Sequence, residues 1–184
     1  MSETPPEPVN KILRVTSAAF AVVFALFVAS ALTLPTAGAA MSLGLVSEGT
    51  TGLQVLRTLL QFGWFLVAIV GYLVISDQRD LVRIARPTLR DAALILGGGL
   101  GLFAFQYGAL VVLGELGLTT GQNQAVVPDG DPVTYYVAMT AVSLLVVGPV
   151  EEALFRGVVQ GGLRRAFNVV PSVLIASVMF GLVH

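Results

Sequence analysis

Residues Val15 to Leu34 contain no charged side chain. Twenty residues rise about 30 Å as a helix, which matches the hydrocarbon thickness of a bilayer. In lipid the backbone must satisfy its own hydrogen bonds, and a helix does so within one segment. The run therefore predicts a membrane-crossing helix. Lys11 and Arg14 in front of it and Ala37-Gly38-Ala39 behind it also fit a secretory signal. Signal cores run to about 7–15 apolar residues, however, so a retained span is the better reading.

The remainder of the chain extends this pattern. It is 55% hydrophobic and 11% charged, where soluble domains carry about 25% charged residues, and its mean hydropathy is +0.87. A second span is expected over Thr58 to Ile75, with Arg57 at its outer edge snorkelling to the headgroups. A third is expected over Ala92 to Leu113. Within it Gly97-Gly98-Gly99 has no preceding strand and no following GK[ST], so a phosphate loop is excluded. Gly97 and Gly101 instead form a small-xxx-small pair that lets another helix approach closely. Fourth and fifth apolar segments begin at Val133 and Pro171. The expected architecture is all-α, a polytopic transmembrane bundle of about five spans. It divides into a disordered tail (1–10), N-terminal transmembrane helices and loops (11–132), and a C-terminal core (133–184).

Charge distribution predicts the threading. Of ten Lys and Arg residues, two precede the first span, four (Arg79, Arg83, Arg86, Arg90) follow the second, and Arg164 and Arg165 follow the fourth. Loops 35–52 and 114–132 hold none. The positive-inside rule then puts the N-terminus in the cytoplasm of a multi-pass cell-membrane protein. The four-arginine loop suits anionic lipid, not nucleic acid. Cysteine is absent, which excludes disulfides and thiolate metal sites.

Against this background Gly148-Pro149-Val150-Glu151-Glu152-Ala153-Leu154-Phe155-Arg156 stands out. A charged side chain at bilayer depth costs at least about 2.5–3.5 kcal/mol, so three within six residues need a compensating environment. From Tyr136 to Glu151 a helix rises about 23 Å, which places the glutamates in the inner part of the membrane. Gly148-Pro149 predicts a kink or break there. Glu152 and Arg156 stand at i,i+4 and can pair, and Glu151 faces elsewhere. On the next helix Phe180 and His184 are again at i,i+4, and His184 is the only histidine. Threaded antiparallel, it returns to the depth of Glu151.

Glu151-Glu152-x-x-x-Arg156 followed by Phe180-x-x-x-His184 on consecutive membrane helices resembles the CPBP family of intramembrane proteases. That family includes the type II CAAX prenyl endopeptidases and the Abi or bacteriocin-immunity membrane proteins. The resemblance covers residues 133–184. It implies an endopeptidase that cuts a membrane-anchored protein, prenylated CAAX-type proteins among the candidates, near the cytoplasmic face. Glu151 would activate water with His184, and Glu152 and Arg156 would support it. It also implies either a divalent metal such as zinc, shared by Glu151 and His184, or a metal-independent activated water; no HExxH pair decides between them. The apolar pattern is still running at His184, so a C-terminally truncated chain is expected. A further helix bearing His and Asn or Asp would then supply the remaining donors, and residues 1–184 alone would be inactive. Two other readings remain open: a non-enzymatic immunity or partner-binding protein, and an ion-coupled transporter.

Overall fold

The computed structural model describes residues 7–82, 88–118 and 131–184. Among them there is no strand, and the architecture is all-α. The chain forms two units, one of residues 1–83 and 127–184 and the other of residues 84–126.

In the larger unit α1 runs Glu7–Ser42 and α2 Thr51–Ile75. α4 is one continuous rod, Val133–Leu163, and α5 is Val169–Val183. The second unit contains α3, Leu89–Glu115. Among the described residues, three helices, α1, α2 and α4, are found long and apolar enough to cross a membrane. The 15 residues of α5 rise about 22 Å, short of the hydrocarbon thickness.

Several boundaries differ from the sequence reading. α1 begins at Glu7 and continues through Pro35 to Ser42, so four residues assigned to a tail are helical. Pro35 removes one backbone donor. Close by, the Thr33 hydroxyl donates to the Ala29 carbonyl and the Thr36 hydroxyl to that of Leu32. Thr36 Oγ1 also accepts from Trp64 Nε1 at 3.2 Å, tying α2 to α1 just past the proline. α2 starts seven residues earlier than expected because Thr50 caps it, its hydroxyl accepting from the Leu53 N–H at 3.2 Å. Arg57 therefore lies inside the helix, half-buried, with its Nε lacking a hydrogen-bond partner. Arg83 and Arg86 of the basic loop lie outside the described residues.

The core is built from small side chains. Ala18, Ala21, Val22, Ala25 and Ala29 form a buried stripe on α1 that packs with Phe65, Ala68, Ile69 and Leu73 of α2. In lipid there is little hydrophobic gain in bringing helices together, so association rests on close packing, which alanine permits. α4 adds Val150, Leu154, Val158, Val159 and Leu163 to this cluster.

These α4 positions are spaced by four, four, one and four residues, on a backbone that is not uniformly α-helical. Ser143–Val147 and Ala153–Gln160 are π-wound, with five α-helical residues, Gly148–Glu152, between them. Pro149 does not break the rod as expected. The Gly148 N–H reaches back to the Ser143 carbonyl, a wide turn just ahead of the missing proline donor. Widening the turn relieves the clash between the proline ring and the preceding carbonyls while the helix continues.

Candidate active site

The short α-helical stretch between the two π segments carries Glu151 and Glu152, and the second π segment carries Phe155 and Arg156. π turns are rare and concentrate at functional sites, because they rotate one or two side chains away from where regular winding would put them. α5 runs back alongside. Asn168 stands at its N-cap, and Pro171 falls in its first turn, where a missing N–H costs nothing.

The structure brings the predicted residues together. His184 Nε2 lies 3.2 Å from Glu151 Oε1. Its other ring nitrogen, Nδ1, lies 3.0 Å from the Phe180 carbonyl oxygen. Phe180 also stacks its ring on the imidazole, with centroids 4.1 Å apart and planes 22° apart. Phe155 of α4 meets Phe180 edge-on at 4.9 Å. Two aromatic rings from facing helices therefore hold the histidine in place. Glu152 pairs with Arg156, as their spacing predicts.

The two carboxylates are in different environments. The Glu151 side chain is 22% exposed and faces the histidine; that of Glu152 is 56% exposed and faces a guanidinium. The imidazole contacts also constrain proton placement. A carbonyl oxygen only accepts, so Nδ1 carries the N–H facing Phe180. Nε2 then meets Glu151 Oε1 in a hydrogen bond only if one further proton lies between them, on the ring or on the carboxyl.

Beside this pair is a cleft of about 380 Å³, lined by Gly148, Glu151, Glu152, Phe155, Arg156 and Gln160 of α4 and by Val173, Ala176, Ser177 and Phe180 of α5. Gln160 and Ser177 were not anticipated. Helical spacing could have flagged both, since Gln160 is four residues after Arg156 and Ser177 is seven before His184. As ligands, Glu151 and His184 would contribute one oxygen and one nitrogen. Catalytic divalent ions commonly take three protein ligands, and the described residues contain no group of three His, Cys, Asp or Glu side chains. Among the described residues these two donors are not joined by a third.

At the N-terminal end of α4, Asp131 caps the helix. Its carboxylate accepts from the Thr134 hydroxyl at 2.7 Å and from the backbone N–H groups of Val133 and Thr134. These hydrogen bonds, the Thr134 hydroxyl foremost, hold its carboxyl below the usual carboxylate range.

Residues 133–184 match the family of type II CAAX prenyl endopeptidases described as Rce1-like. That segment is well under half of the chain, and it is the segment that carries both motifs. The match agrees with the resemblance to the CPBP family. No curated protein and no solved structure matches the chain. Three membrane-length apolar helices together with a membrane-protease family point to an integral membrane protein.

Proposed function

We propose that this protein is an intramembrane endopeptidase that hydrolyses a peptide bond of a membrane-anchored protein, with a prenylated C-terminus of the CAAX type as the favoured substrate. The observation that carries the reading is the Glu151–His184 contact, 3.2 Å across two helices and beside a cleft, inside the segment that matches the protease family.

Peptide hydrolysis requires a water, a base to take its proton and donors for the oxyanion. Glu151, as carboxylate, accepts the proton of a water lying between it and the substrate carbonyl. The resulting hydroxyl bonds to the carbonyl carbon, and the carbonyl π electrons move to oxygen. Collapse of that intermediate breaks the C–N bond, and the proton held by Glu151 goes to the departing amine. Protonated at Nε2, His184 donates to the oxyanion or to the attacking water while Nδ1 stays anchored on Phe180. Glu152 and Arg156 orient the helix and the peptide at the cleft wall. The cytoplasmic face, where the basic termini of the helices are expected, is where the substrate would enter.

The test uses the full-length protein in liposomes with a fluorogenic prenylated peptide. Glu151→Gln keeps the shape and can still hydrogen-bond to Nε2, but it cannot take a proton. We expect a rate loss of about 10²-fold or more, with His184→Ala similarly affected. Hydrolysis by Glu151→Gln at the parent rate, with insertion intact, would overturn the assignment.

A further inference from the structure

The cleft accounts for one flank of the π-wound turn of α4. Another flank is occupied by the chain that follows α2. After the Ser76 C-cap, Asp77 takes a left-handed conformation at φ 52°, and Arg79–Leu81 forms one 3₁₀ turn. Residues 78–82 then lie directly on α4. A Cβ built on Gly157 would stand 2.8 Å from Val82 Cγ2, closer than side chains are found, and one on Gly161 would stand 3.3 Å from Leu81 Cδ2. The two glycines form a groove, four residues apart, into which the segment fits. Arg165, just past the end of α4, closes the contact. Its Nη2 donates to both Asp80 carboxylate oxygens at 2.8 and 2.7 Å, and its Nη1 lies 3.4 Å from Gln78 Oε1. Leu81 and Val82 pack on the buried cluster.

We infer that residues 78–82 form a strap that sets the winding of the α4 turn presenting Phe155 and Arg156, which makes Gly157, Gly161 and the Asp80–Arg165 pair positioning residues for the cleft. A π turn is an exceptional winding that needs support from outside its own hydrogen bonds. Gly157 immediately follows Arg156 within that segment, so whatever holds Gly157 against Val82 fixes the rotation of the two residues before it. An isolated surface ion pair would contribute little. Here one guanidinium nitrogen holds both Asp80 oxygens, the other reaches Gln78, and the pair is joined to a steric groove, so together they define one seated position. The inference concerns how the cleft is shaped, and its reading through catalysis rests on the proposed endopeptidase activity.

The test compares Asp80→Arg, Arg165→Asp and the double swap in the full-length protein in liposomes. The absence of native cysteine allows nitroxides to be placed cleanly at Gln160→Cys and Val173→Cys, on opposite walls of the cleft. The expected result is a broadened or shifted spin–spin distance in each single variant and recovery in the swap. The rate should fall about tenfold or more in the singles, chiefly in kcat, given the sensitivity of catalysis to ångström-scale misplacement. The swap should recover most of that loss. A distance distribution that is unchanged in the singles, or one the swap fails to restore, overturns the strap whatever the activity. Failure of the endopeptidase reading would appear separately, as Glu151→Gln retaining hydrolysis.

Discussion

His184 has two acceptors on its two ring nitrogens and an aromatic ring on its face, an environment too specific to be filler. The doubly engaged ring predicts that Nδ1 carries a proton whatever the state of Nε2. Within residues 1–184 it is the only histidine, and comparison with His184→Ala identifies its imidazole ¹⁵N signals in a uniformly labelled sample. We expect the Nδ1–H form, and Glu151→Gln should leave Nδ1 protonated while changing Nε2. Signals of the opposite tautomer would show that the Phe180 carbonyl is not the anchor. The convergence of Glu151 with His184 was legible from two i,i+4 patterns on antiparallel helices. The Phe155–Phe180 edge contact was not, because it depends on the π turn that rotates Phe155 toward α5.

At the scale of the element, α4 shows why a proline in a membrane helix is not always a break. With Gly148 ahead of it and a wide turn to absorb its ring, Pro149 leaves the rod continuous. The buried positions 150, 154, 158, 159 and 163 fit a regular helical face as well, so their spacing does not signal that widening. The start of α4 is set by Asp131, whose charged form is the one the capping hydrogen bonds favour. A carboxyl depressed in the folded state contributes stability that is complete above its unfolded pKa of about 3.9 and lost as pH falls through the lower folded value. Acidification below about pH 4 should therefore fray the N-terminal end of α4. Hydrogen exchange at Val133 and Thr134 should speed up in the parent, and Asp131→Asn should flatten that dependence. Equal acid sensitivity in parent and variant would assign the effect elsewhere.

For the whole molecule, the larger unit depends on how closely α1 and α2 approach. Ala25, 1% exposed, sits in the alanine stripe, whereas Phe27, 70% exposed, faces away from the core. Ala25→Leu inserts three carbons where no space exists and should cost about 1–3 kcal/mol by overpacking. Phe27→Ala should change stability little, within about 0.5 kcal/mol. Thermal or SDS titration of the reconstituted protein distinguishes the two, and equal losses would mean that the stripe is not the packing face. Gly97 and Gly101, singled out as a close-approach pair, have no described atom within 4 Å of a built Cβ. Among the described residues of the larger unit, a close approach is found at Gly157 and Gly161.

Uncharged runs of about twenty residues determine by themselves that the chain is helical and apolar enough to enter a bilayer, because length and solvation are local properties. Two motifs at helical spacing likewise identify Glu151, Glu152, Arg156 and His184 as one cluster. Only the tertiary structure decides the rest: that α4 is wound wide, that Phe180 anchors the imidazole, and that residues 78–82 lie in a glycine groove. Each of these depends on which backbone another segment touches, and that depends on partners distant in the chain.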